Sequence, residues 1–549
     1  MKVGAAIADI LKREGVDIIF GYPRNAVLEE AAKFGIRPII VRQERTGLHM
    51  ADALSRMTRG KRMGVFAMQH GPGTENAYGG VAQAYSESVP VLVLPQGYMR
   101  HLMFVPDNYN STIEMKHITK MAEPIILPKE TTNIMRRAFT QLRNGRLRPV
   151  VVELPYDIFE EEIETPDYEP VVSTRFGPDP AAVEAAAKAL VNAKRPVVYA
   201  GQGVHWAEAY AELKELVEYL ALPICTSLEG KSAFNERHPL ALGAGGAAIP
   251  LQARHFLDNS DLILGIGCSF SASNFAIRMP TGKTVIHNTV DAADINKQVI
   301  AQHALIGDAQ LTLRALIAEV KKLVAAPRDM SPVAAEIEKV EKLFMEKWLP
   351  KLTSDQNPMT PYRVLWDLQH TVDIDNTIIT HDAGSPRDQL TPFWKSTTPL
   401  SYIGWGKSTQ LGYGLGLAMG AKLACPDKLC INVWGDAAIG FTGMDFETAV
   451  RDKMPILSIL LNNEAMAIEL DIMPEATKRF RSTDISGNYA DFAKSLGGYG
   501  ERVTSPADIK DAIKRGIAAT EAGQPALLEF MTSKEKDFSR LAPGQSYYK

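Results

Sequence analysis

A carboxylate and a carboxamide brought to one edge of a parallel sheet can grip a hard cation, and this sequence carries such a pair. Gly435-Asp436-Ala437-Ala438 follows the apolar run Leu429 to Val433, and Asn462-Asn463-Glu464 follows the run Ile456 to Leu461. Both runs read as neighbouring strands with a helix over Met444 to Asp452 between them, so Asp436 and Asn463 meet where open α/β sheets bind ligands. Magnesium takes hard oxygen ligands in octahedral geometry and usually shares them with phosphates. An Asp, an Asn side chain and a backbone carbonyl meet that need, and the small Ala437 and Ala438 let backbone N–H groups approach a phosphate. Taken singly, Gly-Asp reads as a turn and Asn-Asn as a loop.

Other candidates lie at other strand ends. Glu44, in Val41-Arg42-Gln43-Glu44-Arg45-Thr46, stands before a helix over Thr46 to Met57; alone it reads as a helix N-terminal carboxylate favoured by the dipole. Gln69 and His70 precede the Gly71-Pro72-Gly73 turn after the strand Gly64 to Met68. Each either faces a pocket or is a satisfied structural residue. His381 and Arg387 border Asp382-Ala383-Gly384-Ser385 after the strand Thr377 to Thr380, and either meet an anionic group or stay on the surface. Met466 and Ile468 are core residues or the walls of an apolar pocket.

Apolar runs that alternate with helical patterns require parallel sheets covered on both faces. The fold class is α/β, with three doubly wound parallel-sheet domains. A Pro- and Glu-rich stretch from Glu160 to Pro180 and a polar helical stretch from Ala326 to Lys351 divide the chain. The domains are expected over residues 1–165, 180–325 and 352–540. Further strands fall at Ile39 to Arg42, Val91 to Leu94, Val197 to Ala200, Leu262 to Ile266 and Val285 to His287. Several domains are expected in any case, because 549 residues exceed what one core accommodates.

A net charge of -4 with scattered charges offers no basic face for nucleic acid or an anionic membrane, leaving a small-molecule partner. Cys225, Cys268, Cys425 and Cys430 form no CxxC pair and read as reduced, buried thiols. The N-terminus lacks the pattern of a signal peptide, and no apolar run approaches a membrane span, so a cytoplasmic enzyme is expected.

The Asp436 to Asn463 segment resembles the thiamine diphosphate motif of the acetolactate synthase superfamily, which begins Gly-Asp-Gly and ends Asn-Asn, at the same spacing. Val41 to Asp52 is similar to that family's glutamate strand end and its HMA helix. His70 to Ala77 resembles SGPGATN, and Ala84-Tyr85-Ser86-Glu87-Ser88-Val89-Pro90 resembles AYxDSxP. The resemblance implies that Asp436, Asn463 and the Ala465 carbonyl hold Mg2+, while Gly435, Ala437 and Ala438 line the diphosphate. It places Gly384 and Ser385 in a second phosphate-side loop, and Leu411 under the bent cofactor with the Thr409 carbonyl bonded to its amino group. Glu44 activates the pyrimidine ring beside Gly73 and Asn76, His70 and Gln69 stand near the reacting carbon, and Met466 and Ala467 border the cofactor. The family shares its cofactor between the first domain of one subunit and the third of another, which implies at least a homodimer and an expected homotetramer. The middle domain, with Gly201-Gln202-Gly203 and Gly265-Ile266-Gly267, resembles one that holds FAD, ADP or nothing.

The sequence departs from true acetolactate synthases. Glu464 to Glu469 lacks a Trp, and Cys268 to Ser273 stands where an Arg-Phe-Asp-Asp-Arg stretch is usual, whereas Ala437 in place of the third-position Gly is a change that some acetolactate synthases share. The loop Phe104 to Asn110 also differs. These departures argue against branched-chain amino acid biosynthesis and tight FAD binding. A 2-oxoacid decarboxylase or carboligase is expected first. A 2-hydroxyacyl-CoA lyase or oxalyl-CoA decarboxylase-like enzyme is the second reading, with Lys534 to Arg540 as its mildly basic tail. A catalytically silent regulatory relative is the third, and intact Glu44, Asp436 and Asn463 count against it.

Overall fold

Alternation along the strands builds the layers. In the first domain, Phe20, Phe66, Met68 and Val93 point into one core, while Ile19, Val65, Ala67 and Leu92 point into another on the opposite face. The computed structural model describes residues 1–544 and contains three six-stranded sheets, all of whose strands pair in parallel. The first holds β1 (Ile18–Gly21), β2 (Arg37–Ile40), β3 (Gly64–Met68), β4 (Val91–Gly97), β5 (Met121–Pro124) and β6 (Val150–Pro155), in the order β2-β1-β3-β4-β6-β5. The second holds β7 (Pro196–Ala200), β8 (Ile224–Thr226), β9 (Ala241–Ala244), β10 (Leu262–Ile266), β11 (Thr284–Thr289) and β12 (His303–Ile306), ordered β12-β11-β10-β7-β8-β9. The third holds β13 (Thr377–His381), β14 (Tyr402–Ile403), β15 (Leu429–Gly435), β16 (Leu457–Asn462), β17 (Tyr499–Val503) and β18 (Ala526–Met531), ordered β14-β13-β15-β16-β18-β17. The order reverses between β7 and β10 and between β13 and β15, so each of these pairs opens a ligand crevice at its carboxyl ends.

Most expected strands stand within a few residues of their places. The helix expected over Met444 to Asp452 is instead a short 3-10 turn at Gly443–Asp445 followed by a helix at Phe446–Arg451. Asp445 explains the break, because its carboxylate accepts from the Arg42 backbone N–H of the first domain at 2.7 Å and from Thr448 Oγ1 at 2.9 Å. The separating stretch after Ala326 is a helix, Ser331–Leu352, whose Phe344 stacks on Phe393 at 5.3 Å. All four cysteines are free, but Cys425 is only half-buried. No helix among the described residues is long and apolar enough to cross a membrane.

The helices Glu44–Met57 and Tyr413–Ala424 join the first and third domains by near backbone contact. A Cβ at Gly416 would lie 2.4 Å from His49 Cβ, and one at Gly420 would lie 2.4 Å from the Met50 carbonyl oxygen. The four-residue spacing puts both glycines on one helix face. A buried polar group crosses the same contact: Arg56 donates to Asp52 at 2.6 Å and to the Gly404 carbonyl at 3.0 Å, and the Tyr413 hydroxyl donates to Asp52. Gly420→Val should therefore force the helices apart and lower unfolding stability by about 1–3 kcal/mol, read from denaturant midpoints. A wild-type midpoint would show that the contact is slack.

His49 lies in this seam, bonded to Gln410 at 3.0 Å, and burial lowers its pKa from 6.5 to about 3. The unfolded chain takes up the proton first, so stability is lost as pH falls from 6.5 toward the folded value. The melting temperature should drop through that window, and less steeply in His49→Gln. Equal drops would exonerate the histidine.

Candidate active site

Two loops meet at the crevice between β13 and β15. Asp436 opens the helix Asp436–Thr442 directly after β15, and its carboxylate accepts from the backbone N–H groups of Ala437 at 2.9 Å, Asn463 at 3.2 Å and Ala465 at 3.3 Å. Asn463 Oδ1 accepts from the Ala465 N–H at 3.0 Å, so carboxylate and carboxamide share one turn. Burial raises the Asp436 pKa to about 6, and no cationic side chain pairs with it among the described residues. A cavity of about 90 Å3 opens beside Asp436 and Asn463, floored by Gly435, Ala437, Ala438 and Ala465. Its other walls are Gly384, Ser385 and Leu411 on one side and Met466, Ala467 and Ile468 on the other. All three expected metal ligands and most expected cofactor contacts thus share one space.

Leu411, Met466 and Ile468 are not core residues: Leu411 and Ile468 are half-buried and Met466 is exposed, all on that cavity. Leu411, Gly384 and Ile468 also border a second space of about 550 Å3, which Thr409 lines. The loop from Trp405 to Gly412 is held at its end by Asp382, whose buried carboxylate accepts from Gly412 N and Gly414 N, each at 2.9 Å. The surface alternative for His381 and Arg387 does not hold. His381 lies at 0% exposure and stacks on Trp405 at 4.9 Å. Arg387 lies at 2%, pairs with Asp388 at 2.8 Å and sits 4.2 Å from the Phe275 ring. Its position beside a loop concealed this, because the cover comes from the middle domain.

The first-domain residues form a second cluster. Glu44 is the first residue of its helix, buried, and accepts from Asn76 Nδ2 at 3.3 Å. Burial raises its pKa. A Cβ at Gly73 would lie 3.3 Å from Glu44 Oε1 and 2.8 Å from Gln69 Cγ, which gathers Glu44, Gln69, Gly73 and Asn76. His70 packs on Tyr98 at 4.6 Å with Nδ1 unpartnered, and burial lowers its pKa. None of these residues lines the Asp436 cavity of the same chain, whose walls are all drawn from residues 361–532.

The middle crevice encloses about 410 Å3. Its glycines pack one loop on another: a Cβ at Gly201 would lie 2.5 Å from the Gly267 carbonyl oxygen, and one at Gly203 would lie 2.7 Å from Gly267 Cα. Of the cations of the 550 Å3 space, Arg387 is the one the sequence offered for an anionic group; Arg540 stood there only as the end of a basic tail, and Arg254 and Arg278 carried no signal, with Glu469 opposite them. These cations come from distant segments and carry no shared pattern.

Residues 1–102 match the thiamine pyrophosphate enzyme N-terminal TPP binding domain, residues 183–316 the central domain, and residues 382–530 the C-terminal TPP binding domain. A probable acetolactate synthase large subunit of Methanocaldococcus jannaschii is 30% identical over 99% of this chain and 94% of its own length. That of Methanococcus aeolicus shows the same figures, and the acetolactate synthase isozyme 3 large subunit of Escherichia coli is 28% identical over 92% of this chain and 90% of its own. A carboxylate–carboxamide turn at the third sheet's crevice, a buried glutamate on the first domain and similarity along the whole chain lead to one conclusion: this protein belongs to the thiamine pyrophosphate enzyme family and is acetolactate synthase-like.

Proposed function

We propose that the chain holds thiamine diphosphate through Mg2+ and catalyses C–C bond cleavage or ligation on a 2-oxoacid, by decarboxylation, acetolactate synthase-like carboligation or both. The observation that carries this reading is Asp436, a buried carboxylate beside Asn463 with backbone N–H partners and no counter-ion among the described residues. Burying an unpaired charge is costly, and a divalent cation on the oxygens of Asp436, Asn463 and Ala465 offsets that cost. Gly435, Ala437, Ala438, Gly384 and Ser385 are then the diphosphate's neighbours, and Leu411, Met466 and Ala467 the ring's. When bound, thiamine diphosphate supplies a carbon nucleophile that adds to a carbonyl and takes up the electrons left by carbon dioxide. Glu44 holds a proton at the pyrimidine ring nitrogen, an interaction its buried setting strengthens. Gln69 flanks that carboxylate through the Gly73 turn, and it and His70 serve the substrate.

Because Glu44 lies outside the cavity of its own chain, we assign the complete site to two chains, hence a homodimer at least and a homotetramer as its extension. Exposed apolar side chains on both halves support this: Phe104 at 66% on the first domain, Ile472 at 72% and Phe480 at 76% on the third. The four arginines of the 550 Å3 space favour an anionic substrate. A 2-oxoacid carboxylate satisfies them, and the size of the space keeps a 2-hydroxyacyl-CoA or oxalyl-CoA substrate as the second reading. In the middle crevice Arg59, Arg146, Arg175 and Lys407 suit an anionic nucleotide such as FAD or ADP. Placement is cytoplasmic on this reading.

The test is to load the protein with thiamine diphosphate and Mg2+ and to screen 2-oxoacids, 2-hydroxyacyl-CoAs and aldehydes for carbon dioxide release or ligation. Glu44→Gln should slow turnover at least about a hundredfold. Asp436→Ala or a chelator should release the cofactor. Unchanged turnover in both variants sinks the reading. Mixing and reassembling the two inactive variants should restore activity that neither shows alone, because a mixed dimer keeps one intact site. No recovery, with subunit exchange demonstrated, would place the site within one chain.

A further inference from the structure

Glu87 belongs to none of the groups placed above, yet it is fully buried at the end of the first domain's Pro72–Ser86 helix. A single oxygen of its carboxylate, Oε1, accepts from three successive backbone N–H groups of the third domain: Gly406 at 3.2 Å, Lys407 at 2.8 Å and Ser408 at 3.4 Å. One turn earlier on the same helix face, Gln83 Oε1 accepts from the Gln410 N–H at 3.3 Å, and Gln83 Nε2 donates to Glu87 at 3.4 Å. The segment so gripped, 406–410, leads directly into Leu411, which lines the Asp436 cavity and the 550 Å3 space, and contains Thr409, which lines the latter. Asp382 holds the loop's far end from within the third domain, through Gly412 and Gly414. Lys407 carries the contact into the middle domain, with Nζ 3.5 Å from Glu229.

We propose that Glu87 is a positioning residue, a first-domain carboxylate that fixes the 406–410 backbone so that Thr409 and Leu411 stand ready before the cofactor arrives. This rests on the thiamine diphosphate reading above. The physical reason is pre-organisation. Successive N–H groups aimed at one point cannot all be satisfied by a mobile loop, and a loop that must be ordered on binding lowers affinity by that ordering. Hydrogen bonds to a carboxylate are roughly twice as strong as neutral ones. Lys407, Glu229 and Arg56 are the charged groups around Glu87; burial and Glu229 raise its pKa to about 7, while Lys407 and Arg56 oppose them.

The test uses the full chain stripped of cofactor, with Glu87→Gln as the shape-preserving variant and Glu87→Ala as the full deletion. Hydrogen exchange of the 404–412 segment should accelerate at least about tenfold in Glu87→Gln, while the strands of all three sheets keep wild-type protection. Thiamine diphosphate, titrated with Mg2+ by calorimetry, should bind about ten- to a hundredfold more weakly. In a double-mutant cycle with Leu411→Ala the losses should fall short of additivity, since both act through one loop. Unchanged exchange at 404–412 in both variants, exchange that rises equally everywhere, or strictly additive losses would overturn the assignment. A wild-type chain that takes up no thiamine diphosphate would instead sink the functional reading, and the cofactor-free exchange comparison would still decide what Glu87 does.

Discussion

The approach of Gly416 and Gly420 to the backbone of the Glu44–Met57 helix is the constraint on which the rest depends. Each glycine admits a neighbouring helix where a methyl group would clash, so two helices from different domains are locked at a distance that only hydrogen atoms permit. One of these helices starts at Glu44, and the other starts directly after the Trp405 to Gly412 loop. The same contact therefore sets the place of the first domain's carboxylate and of the loop that borders the third domain's cavity. Core packing follows the seam, since the residues of both domains merge into one cluster containing Phe66, Met50, Leu417 and Trp434.

Around that seam, buried carboxylates organise loops. Asp382, Asp436 and Glu87 each accept from backbone N–H groups, and burial raises the pKa of all three. Fixed N–H dipoles aimed at one carboxylate hold the backbone that carries them, so each loop keeps a single shape. Asp436 differs from the other two in opening onto a cavity, and that separates a candidate ligand from a clamp. Asp445 is a fourth instance, reaching across domains to the Arg42 N–H two residues before Glu44.

The three parallel-sheet domains were legible because each strand is buried on both faces and reads as an apolar run. Gly64–Met68 and Leu262–Ile266 stand residue for residue where the pattern put them. Asp436 and Asn463 were legible for a related reason: strand ends in a parallel sheet converge, so spacing along the chain becomes proximity in space. What periodicity could not give was any contact between domains. Asp445 interrupts a helix because Arg42 draws on it, Arg387 is buried because Phe275 covers it, and Glu87, which the sequence offered only as part of the Ala84 to Pro90 motif, gains a partner only when the third domain's loop is seen against it. The GxG glycines of the middle domain carried a ligand-binding pattern, whereas their spacing to Gly267 shows that they admit a neighbouring loop.

The serine-rich stretch Cys268 to Ser273, where the sequence departs from the family pattern, has a structural role here. Ser273 Oγ donates to the Gly406 carbonyl at 3.3 Å and accepts from Phe275 N at 3.2 Å and Ala276 N at 3.1 Å. The stretch is thus turned into a brace for the same loop that Glu87 grips from the other side. Positive charge is supplied by Arg278 of the middle domain and by Arg387 and Arg540 of the third, the latter two sharing the Asp388 carboxylate. Counting Arg254 with its partner Asp258, and Glu469, four guanidinium groups face three carboxylates, which leaves the wall one positive charge in excess. The serine-rich stretch therefore braces a loop, and the charge on the wall of the 550 Å3 space comes from arginines outside that stretch.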